Sequence, residues 1–188
     1  MELADTYKES SVFEVDLEFM DAKSQLVSKI SDAPRNIRFV TADICDHKQC
    51  QNLLEDAGWR SNAPTLLIFE GISYYINRSA LVNLFGLASD HSRAILEYMI
   101  PYAQVDADRR EIPIDVFKTI TNTCLMRTPI VTWDVSEISQ QVPGRVIRRA
   151  TLCDIERMRF GNNHQHPTLF PTPSSGWIEI VDIGVESL

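Results

Sequence analysis

The sequence predicts an α/β fold built around a mostly parallel β-sheet. Strand-like and helix-like segments alternate between residues 12 and 100, at the spacing typical of right-handed βαβ units. One strand-like segment, residues 65–69, is an uninterrupted apolar run, which favours a strand covered on both faces, as in a parallel sheet. Because 188 residues suffice for one domain with a substantial core, we predict a single domain over residues 1–188.

The segments up to residue 100 are predicted from their local patterns. Short runs rich in β-branched and aromatic residues indicate strands at residues 12–16, 37–41, 65–69 and 94–100. Apolar residues that recur every three or four positions indicate three helices between these strands. Their expected buried faces are Ala22, Leu26 and Ile30; Cys50, Leu53, Leu54 and Ala57; and Leu81, Leu84, Phe85 and Ala88. Asp46, with Gln49 three residues on, is the expected cap at the start of the second helix, and Gly58 ends it.

The alternation stops after residue 100. Val116, Ile120 and Cys124 predict one apolar face on a further helix. The remaining predicted elements are that helix at residues 111–126, a strand at 145–152, a short helix at 154–160, a long loop at 161–176 and a closing strand at 177–185.

The composition of the chain indicates which kinds of partner it disfavours and in which compartment we expect it. The formal net charge of −8 and the pI of about 5.0 disfavour binding to nucleic acid or to an anionic membrane. The sequence has neither an apolar run of membrane-spanning length nor a basic-then-apolar start, so we expect a cytoplasmic protein. The four cysteines form no CxxC pair, and we expect them to be reduced.

Two clusters of possible metal ligands are weak signals. His164 and His166 form an HxH pair in the predicted loop, and Asp43, Asp46 and His47 lie close together in sequence. An isolated HxH pair is usually only polar loop, and helix capping explains Asp46 without a metal. We therefore predict no metal site.

Three successive predicted strands each finish at a carboxylate, namely Asp16, Asp43 and Glu70. Ligands of open α/β sheets bind beyond the carboxyl ends of the strands, so these side chains are candidate ligand contacts. A carboxylate at a strand end can accept bonds from ribose hydroxyls or an adenine amino group, and another can face an ammonium or sulfonium. The pattern indicates a nucleotide-like ligand without distinguishing one cofactor from another. Glu97, on the strand at 94–100, is open to two interpretations: it faces a substrate, or it pairs with an arginine.

Several motifs resemble those of the leucine carboxyl methyltransferase family, which includes O-methyltransferases of polyketides and other small molecules. The motifs are Phe13-Glu14-Val15-Asp16, Phe39-Val40-Thr41-Ala42-Asp43-Ile44, and the strand and turn from Ala63 to Ile76 with its Glu70-Gly71 pair and Tyr74-Tyr75. Their order and spacing match over roughly residues 3–100. The resemblance implies a Rossmann-like methyltransferase sheet, with a cofactor side at residues 1–100 and a substrate side at 101–188.

The resemblance also implies a cofactor, S-adenosylmethionine, and roles for individual residues. Asp16 would bind the ribose, and Asp43 and Ile44 the adenine. Glu70, with Gly71 beside it, would lie near the methionine portion, and Tyr75 near the cofactor or the substrate entrance. The family's first strand and Gly-rich turn have no counterpart in this sequence, so we expect two apolar sheet edges that invite homo- or hetero-oligomers, unless the sheet closes over the gap.

The function implied is methyl transfer from S-adenosylmethionine to a carboxylate or hydroxyl of a small molecule or peptide end, and this chain by itself could be inactive. No catalytic base is identifiable. One alternative is a cofactor-free relative that acts as a binding or oligomerisation partner, and another is an enzyme of the same fold with non-methyl chemistry. A nicotinamide-binding protein is a further alternative, although the Glu70-Gly71 turn and the Asp43-Ile44 pair favour the methyltransferase.

Overall fold

The computed structural model describes residues 9–30, 32–123, 129–161 and 167–185. Helices and strands alternate as the sequence predicts, which confirms the α/β class. The chain divides into two compact units, which we call the first unit (Met1–Ala63) and the second unit (Pro64–Leu188).

The first unit contains two parallel strands and two helices. In chain order these are β1 (Val12–Asp16), α1 (Met20–Ser28), β2 (Ile37–Thr41) and α2 (His47–Asp56). The pairing of β1 with β2 is parallel and sets Asp16 opposite Thr41, so both strands end at the same edge of the sheet. The boundaries of both strands agree with the sequence-based expectation.

The second unit contains a four-stranded sheet in the order β3-β4-β6-β5. Its elements are β3 (Leu66–Phe69), α3 (Arg78–Leu84), β4 (Arg93–Met99), α4 (Glu111–Thr123), α5 (Val135–Gln141), β5 (Arg145–Thr151), α6 (Leu152–Phe160) and β6 (Ile178–Gly184). The β3–β4 pair is parallel, whereas β6 is antiparallel to both β4 and β5. The expectation of a mostly parallel sheet is therefore not met. Strand periodicity reports which residues face the core but carries no information on strand direction.

The ends of α2 confirm the capping prediction. The Asp46 carboxylate accepts a bond from the main-chain N–H of Gln49 at 3.0 Å. At the other end Gly58 has a φ of +97°, a left-handed conformation that suits glycine because it has no Cβ. Cys50 and Leu54 form the buried stripe between these caps.

One helix, α5, was not predicted. Asp134 caps it, and the Glu137 side chain accepts a bond from the Asp134 N–H in return, which completes a capping box. The Asp-x-x-Glu spacing was the available signal. The helix has seven residues and a mostly polar sequence, with Ile138 as its buried residue, so apolar periodicity could not reveal it.

The core of the second unit lies along β4 and β6. Ala94, Leu96 and Tyr98 of β4 and Val181 of β6 have no more than trace exposure, and Trp133 beside α5 is fully buried. Ala94, Leu96 and Tyr98 alternate along β4, as expected for side chains that share one face of a sheet. The second unit therefore has a continuous buried centre.

Other apolar surfaces are uncovered, contrary to expectation. Leu66 and Ile68 share one face of β3 and are 52% and 45% exposed, so β3 is not covered on both faces. The predicted inner face of α1 is also exposed: Leu26 is 63% accessible, and the buried residue of this helix is Met20. The predicted buried face of α1 is therefore wrong, as is the prediction that both faces of β3 are covered. Both β1 and β3 are edge strands of their own sheets.

The register of α4 also differs from expectation. Its buried residues are Pro113 and Phe117, whereas Val116 is 43% exposed and Ile120 is half-buried. The predicted third member of that face, Cys124, lies outside the described residues. Within the described parts of the chain, no helix is long and apolar enough to cross a membrane.

Candidate functional site

The first group of predicted site residues lies at the carboxyl edge of the β1–β2 sheet. Asp16 is the last residue of β1, and its carbonyl accepts a bond from the Ala42 N–H at 3.0 Å. Asp43 and Ile44 follow immediately. Parallel pairing therefore brings Asp16, Asp43 and Ile44 to one edge of this sheet, because parallel strands end on the same side.

Both carboxylates keep capacity for a ligand. One oxygen of Asp16 accepts from the Leu17 N–H at 2.7 Å, and one oxygen of Asp43 accepts from the Cys45 N–H at 2.8 Å. Both side chains are exposed, and a carboxylate has about four acceptor positions. The Ile44 N–H donates to no described residue. This set of two acceptors and a main-chain donor fits the ribose hydroxyls and the adenine of a nucleoside.

Two cysteines beside Asp43 are poorly suited to nucleophilic catalysis. Desolvation, followed by the charge of Asp43, raises the pKa of the Cys45 thiol. The same causes, with a further contribution from Asp46, raise the pKa of Cys50. Both thiols therefore remain protonated near neutral pH, where a thiolate would be needed for attack.

The second group of predicted site residues forms a turn directly after β3, which we call the Glu70–Tyr75 turn. Glu70 is exposed, and it takes part in none of the ion pairs among the described residues. Gly71 has a φ of +67°, a region that strains any residue with a Cβ. The glycine thus lets the chain turn sharply while Glu70 remains accessible, which suits a contact with an ammonium group.

Tyr74 connects this turn to β4. Its hydroxyl donates to Oε1 of Glu97 at 3.2 Å, and the Ser73 hydroxyl donates to the Glu97 carbonyl at 2.7 Å. Burial, followed by the nearby Glu97 charge, raises the pKa of Tyr74 well above its ordinary value, and the Glu70 charge adds to the effect. The Tyr74 hydroxyl is therefore a proton donor at neutral pH. Among the described residues Glu97 pairs with no arginine, and its carboxylate accepts from Tyr74, a contact that the sequence did not predict.

Tyr75 lies in an aromatic cluster. Its ring meets that of Tyr74 edge-on with 4.6 Å between centroids, and Phe117 of α4 lies 5.3 Å from Tyr74. Met99 is the remaining buried residue of this cluster. Tyr75 is half-buried, and its role beside the cofactor or the substrate entrance stays a prediction.

Neither of the possible metal clusters yields a site in the described structure. His164 and His166 lie outside the described residues. Within the described ranges, no three His, Cys, Asp or Glu side chains converge as metal ligands, and this includes the stretch with Asp43, Asp46 and His47.

Solved structures share this fold at low sequence identity. A Streptomyces avermitilis protein of the DUF574 family superposes with a TM-score of 0.65 and 11% identity, over 95% of this chain and 66% of that one. A Thermobifida fusca protein provisionally named a methyltransferase gives 0.62 and 13%, over 94% and 64%. An Anabaena variabilis S-adenosylmethionine-dependent methyltransferase gives 0.51 and 8%, over 95% and 78%. The chain thus spans slightly less than two thirds of the first two structures.

The chain has the α/β fold of S-adenosylmethionine-dependent methyltransferases. Its residues 3–88 match the model of the leucine carboxyl methyltransferase family. The match confirms the resemblance drawn from the motifs and includes Asp16, Asp43, Ile44, Glu70, Gly71 and Tyr75. None of the curated protein sequences matches the chain.

Proposed function

We propose that this protein is an S-adenosylmethionine-dependent O-methyltransferase that acts on a carboxylate or hydroxyl of a small molecule or peptide end. The observation that carries the proposal is the family match over residues 3–88. This segment contains Asp16, Asp43 and Glu70, the exposed carboxylates that lie at or just after the ends of parallel strands. The family match implies use of the cofactor, and it leaves the methyl acceptor open.

Each group of site residues suits a different part of the cofactor. Asp16 offers carboxylate acceptors for the ribose hydroxyls, while Asp43 and the Ile44 N–H offer an acceptor and a donor for the adenine. Glu70 offers a negative charge for the ammonium of the methionine end, where opposite charge is favourable. When bound, the cofactor would supply an activated methyl group on a sulfonium.

Methyl transfer demands little acid–base chemistry from the protein. The acceptor oxygen, the methyl carbon and the sulfur must lie in line, so the protein acts mainly by positioning the reactants and excluding water. A carboxylate acceptor is already anionic near neutral pH and requires no base. This is consistent with a site in which Cys45, Cys50 and Tyr74 all remain protonated.

Ligand-induced stabilisation tests the proposal directly. The purified chain is titrated with S-adenosylmethionine and with S-adenosylhomocysteine while its thermal unfolding is followed. Ligand at 100 times its dissociation constant adds about 2.7 kcal/mol to the free energy of unfolding, so we expect a saturable rise in the melting temperature. If the sample is folded and neither ligand changes its melting temperature, the result contradicts cofactor binding by this chain.

A matched pair of variants tests the position of the ribose contact. Asp16→Ala removes the proposed acceptor, whereas Glu14→Ala removes an acid two residues earlier on β1 that pairs with Lys23. We expect Asp16→Ala to weaken cofactor binding roughly tenfold or more, since a hydrogen bond to a charged group contributes about 1.5–3 kcal/mol. Glu14→Ala should leave affinity nearly unchanged, and equal losses would place the ribose contact elsewhere.

The exposed edge of β3 favours a second candidate, a cofactor-free protein that acts as a binding or oligomerisation partner. Leu66 and Ile68 lie uncovered on a strand that has a neighbour on one side. Size-exclusion chromatography with light scattering tests self-association. A monomer at every concentration, combined with saturable cofactor binding, would leave the methyltransferase as the sole candidate.

A further inference from the structure

We propose that Glu97 is a positioning residue of this site: it holds the Glu70–Tyr75 turn through the Tyr74 hydroxyl and thereby sets where Glu70 presents its carboxylate. The inference rests on the proposed methyltransferase function for the role of Glu70. The contacts that hold the turn are independent of that function.

Glu97 is bonded to the turn at two points. Its carboxylate accepts from the Tyr74 hydroxyl at 3.2 Å, and its carbonyl accepts from the Ser73 hydroxyl at 2.7 Å. Ser73 is fully buried and Tyr74 nearly so. Loss of either bond would therefore leave a polar group without water to replace its partner, which is costly.

Glu97 is itself rigidly placed. It lies in the middle of β4, where it is paired with Ile180 of β6, and the adjacent β4 residues Leu96 and Tyr98 are fully buried. Among the described residues, Glu97 forms no ion pair that would compete for its carboxylate. A side chain on a central strand positions its partner better than one on a loop.

The Tyr74 hydroxyl lies close to the residue that follows Glu70. A Cβ built on Gly71 would be 3.7 Å from this oxygen, so the hydroxyl lies beside this position of the turn. Tyr74 and Glu70 belong to the same short turn, so holding Tyr74 at Glu97 limits the positions open to Gly71 and Glu70. Through Tyr74, Glu97 therefore influences where the Glu70 carboxylate is presented.

Two main-chain amides report on the order of the turn without any ligand. The Tyr75 N–H donates to the Ile72 carbonyl at 2.9 Å within the turn, and the Val131 N–H donates to the Tyr74 carbonyl at 3.0 Å. If Glu97 positions the turn, both amides should exchange faster with solvent when the Tyr74–Glu97 bond is lost.

The experiment combines amide hydrogen exchange with binding of S-adenosylhomocysteine by calorimetry. Tyr74→Phe and Glu97→Ala should each speed exchange at Tyr75 and Val131 roughly fivefold, the effect of one hydrogen bond of ordinary net strength. Each should also raise the dissociation constant by a similar factor. In Glu97→Gln an amide oxygen can still accept from Tyr74, so both changes should stay below about twofold.

The controls separate positioning from general destabilisation. Tyr98→Phe removes another buried hydroxyl of β4, but that hydroxyl bonds Glu179, so exchange at Tyr75 and Val131 should not change. The double variant Tyr74→Phe/Glu97→Ala should show no faster exchange and no higher dissociation constant than the more affected of the two single variants. The reason is that each single substitution already removes the same hydrogen bond.

The outcomes are distinguishable. Unchanged exchange in Tyr74→Phe overturns the claim that Glu97 holds the turn. Faster exchange with unchanged affinity overturns the link between the turn and Glu70. If the unmodified chain does not bind S-adenosylhomocysteine, the proposed function fails, whereas the exchange rates still decide whether Glu97 holds the turn.

Discussion

Asp16 and Asp43 in the first unit are exposed and are held by the main-chain N–H groups of Leu17 and Cys45, one and two residues away. The turn after β3 in the second unit is held from a distance, through Tyr74 to Glu97 of β4 and through its main chain to Val131. The positions of the first group therefore depend on hydrogen bonds to neighbouring residues, whereas those of the second group depend on hydrogen bonds to residues far away in sequence.

The surrounding packing shows the same contrast. In the second unit β4 is buried between β3 and β6, whereas the first unit has two paired strands and an apolar helix face open to solvent. An isolated two-stranded sheet is marginally stable at best. We infer that substitutions in the first unit can alter a ligand contact with little effect on folding, whereas those in the second unit affect both.

The largest expected difference comes from one substitution made in both units. Leu96→Ala, at a fully buried position of β4, should lower the free energy of unfolding by about 3 kcal/mol, because it leaves a cavity. Leu26→Ala, on the exposed face of α1, should cost less than about 0.5 kcal/mol. Urea titrations followed by circular dichroism measure both, and similar losses would show that Leu26 is covered in solution.

Alkaline pH should weaken the second unit through its buried tyrosines. Burial, with the hydrogen bond to Glu179, raises the pKa of Tyr98 far above its ordinary value, and burial likewise raises that of Tyr74. In the unfolded chain both tyrosines ionise near pH 10, whereas in the folded chain they remain protonated, so unfolding releases protons above this pH. The free energy of unfolding therefore falls as pH rises above about 10, by up to about 1.4 kcal/mol per pH unit for each tyrosine.

Urea titrations between about pH 8 and pH 11 measure this dependence. Tyr98→Phe should reduce its slope above pH 10. An unchanged slope in that variant would mean that Tyr98 ionises at similar pH in the folded and unfolded chains.

Helix caps allow a comparison of intermediate size. Asp46→Ala removes the cap of α2 in the first unit, and Asn77→Ala removes the cap of α3 in the second, where the Asn77 side chain accepts from Ala80 N–H at 2.8 Å. Each should cost about 1 kcal/mol. Asn77→Ala should cost more, because Ala80 is buried and water cannot readily replace the lost acceptor. Thermal unfolding of the two variants tests this order.

The smallest expected effect belongs to the ion pair between Glu14 and Lys23 in the first unit. Both side chains are substantially exposed, so water and salt screen the attraction. Lys23→Ala should change the free energy of unfolding by less than about 0.5 kcal/mol, and the difference should vanish in high salt. A loss above about 1 kcal/mol would indicate that the pair is shielded from solvent.

Local patterns predicted the elements whose signals lie within a few residues. The strands at 12–16 and 37–41 and the caps Asp46 and Gly58 follow from such patterns. The family match over residues 3–88 likewise agrees with motifs visible in the sequence. Periodicity failed for α5, whose few apolar residues give no stripe, and for the register of α4, where several apolar residues compete for one face.

Contacts between distant residues decided the rest. The Arg149 Nε donates to Oε2 of the buried Glu179 at 2.7 Å, across the β5–β6 pair. The Tyr74 hydroxyl likewise donates a hydrogen bond to Glu97, which lies 23 positions further along the chain. Neither contact could be predicted from the sequence. A carboxylate removed from solvent needs a hydrogen-bonding or charged partner, but the surrounding sequence does not indicate which residue that partner is.

Most of the strands and helices, the caps of α2 and the order of the acids near the strand ends could be deduced from the amino-acid sequence, because hydrogen bonding and apolar periodicity act over a few residues. Strand direction, the covering of apolar faces and the partners of Glu97 and Glu179 required the tertiary structure. These features depend on which segments pack against each other in the folded chain. The free energy of that packing depends on residues far apart in sequence, so no local pattern predicts it.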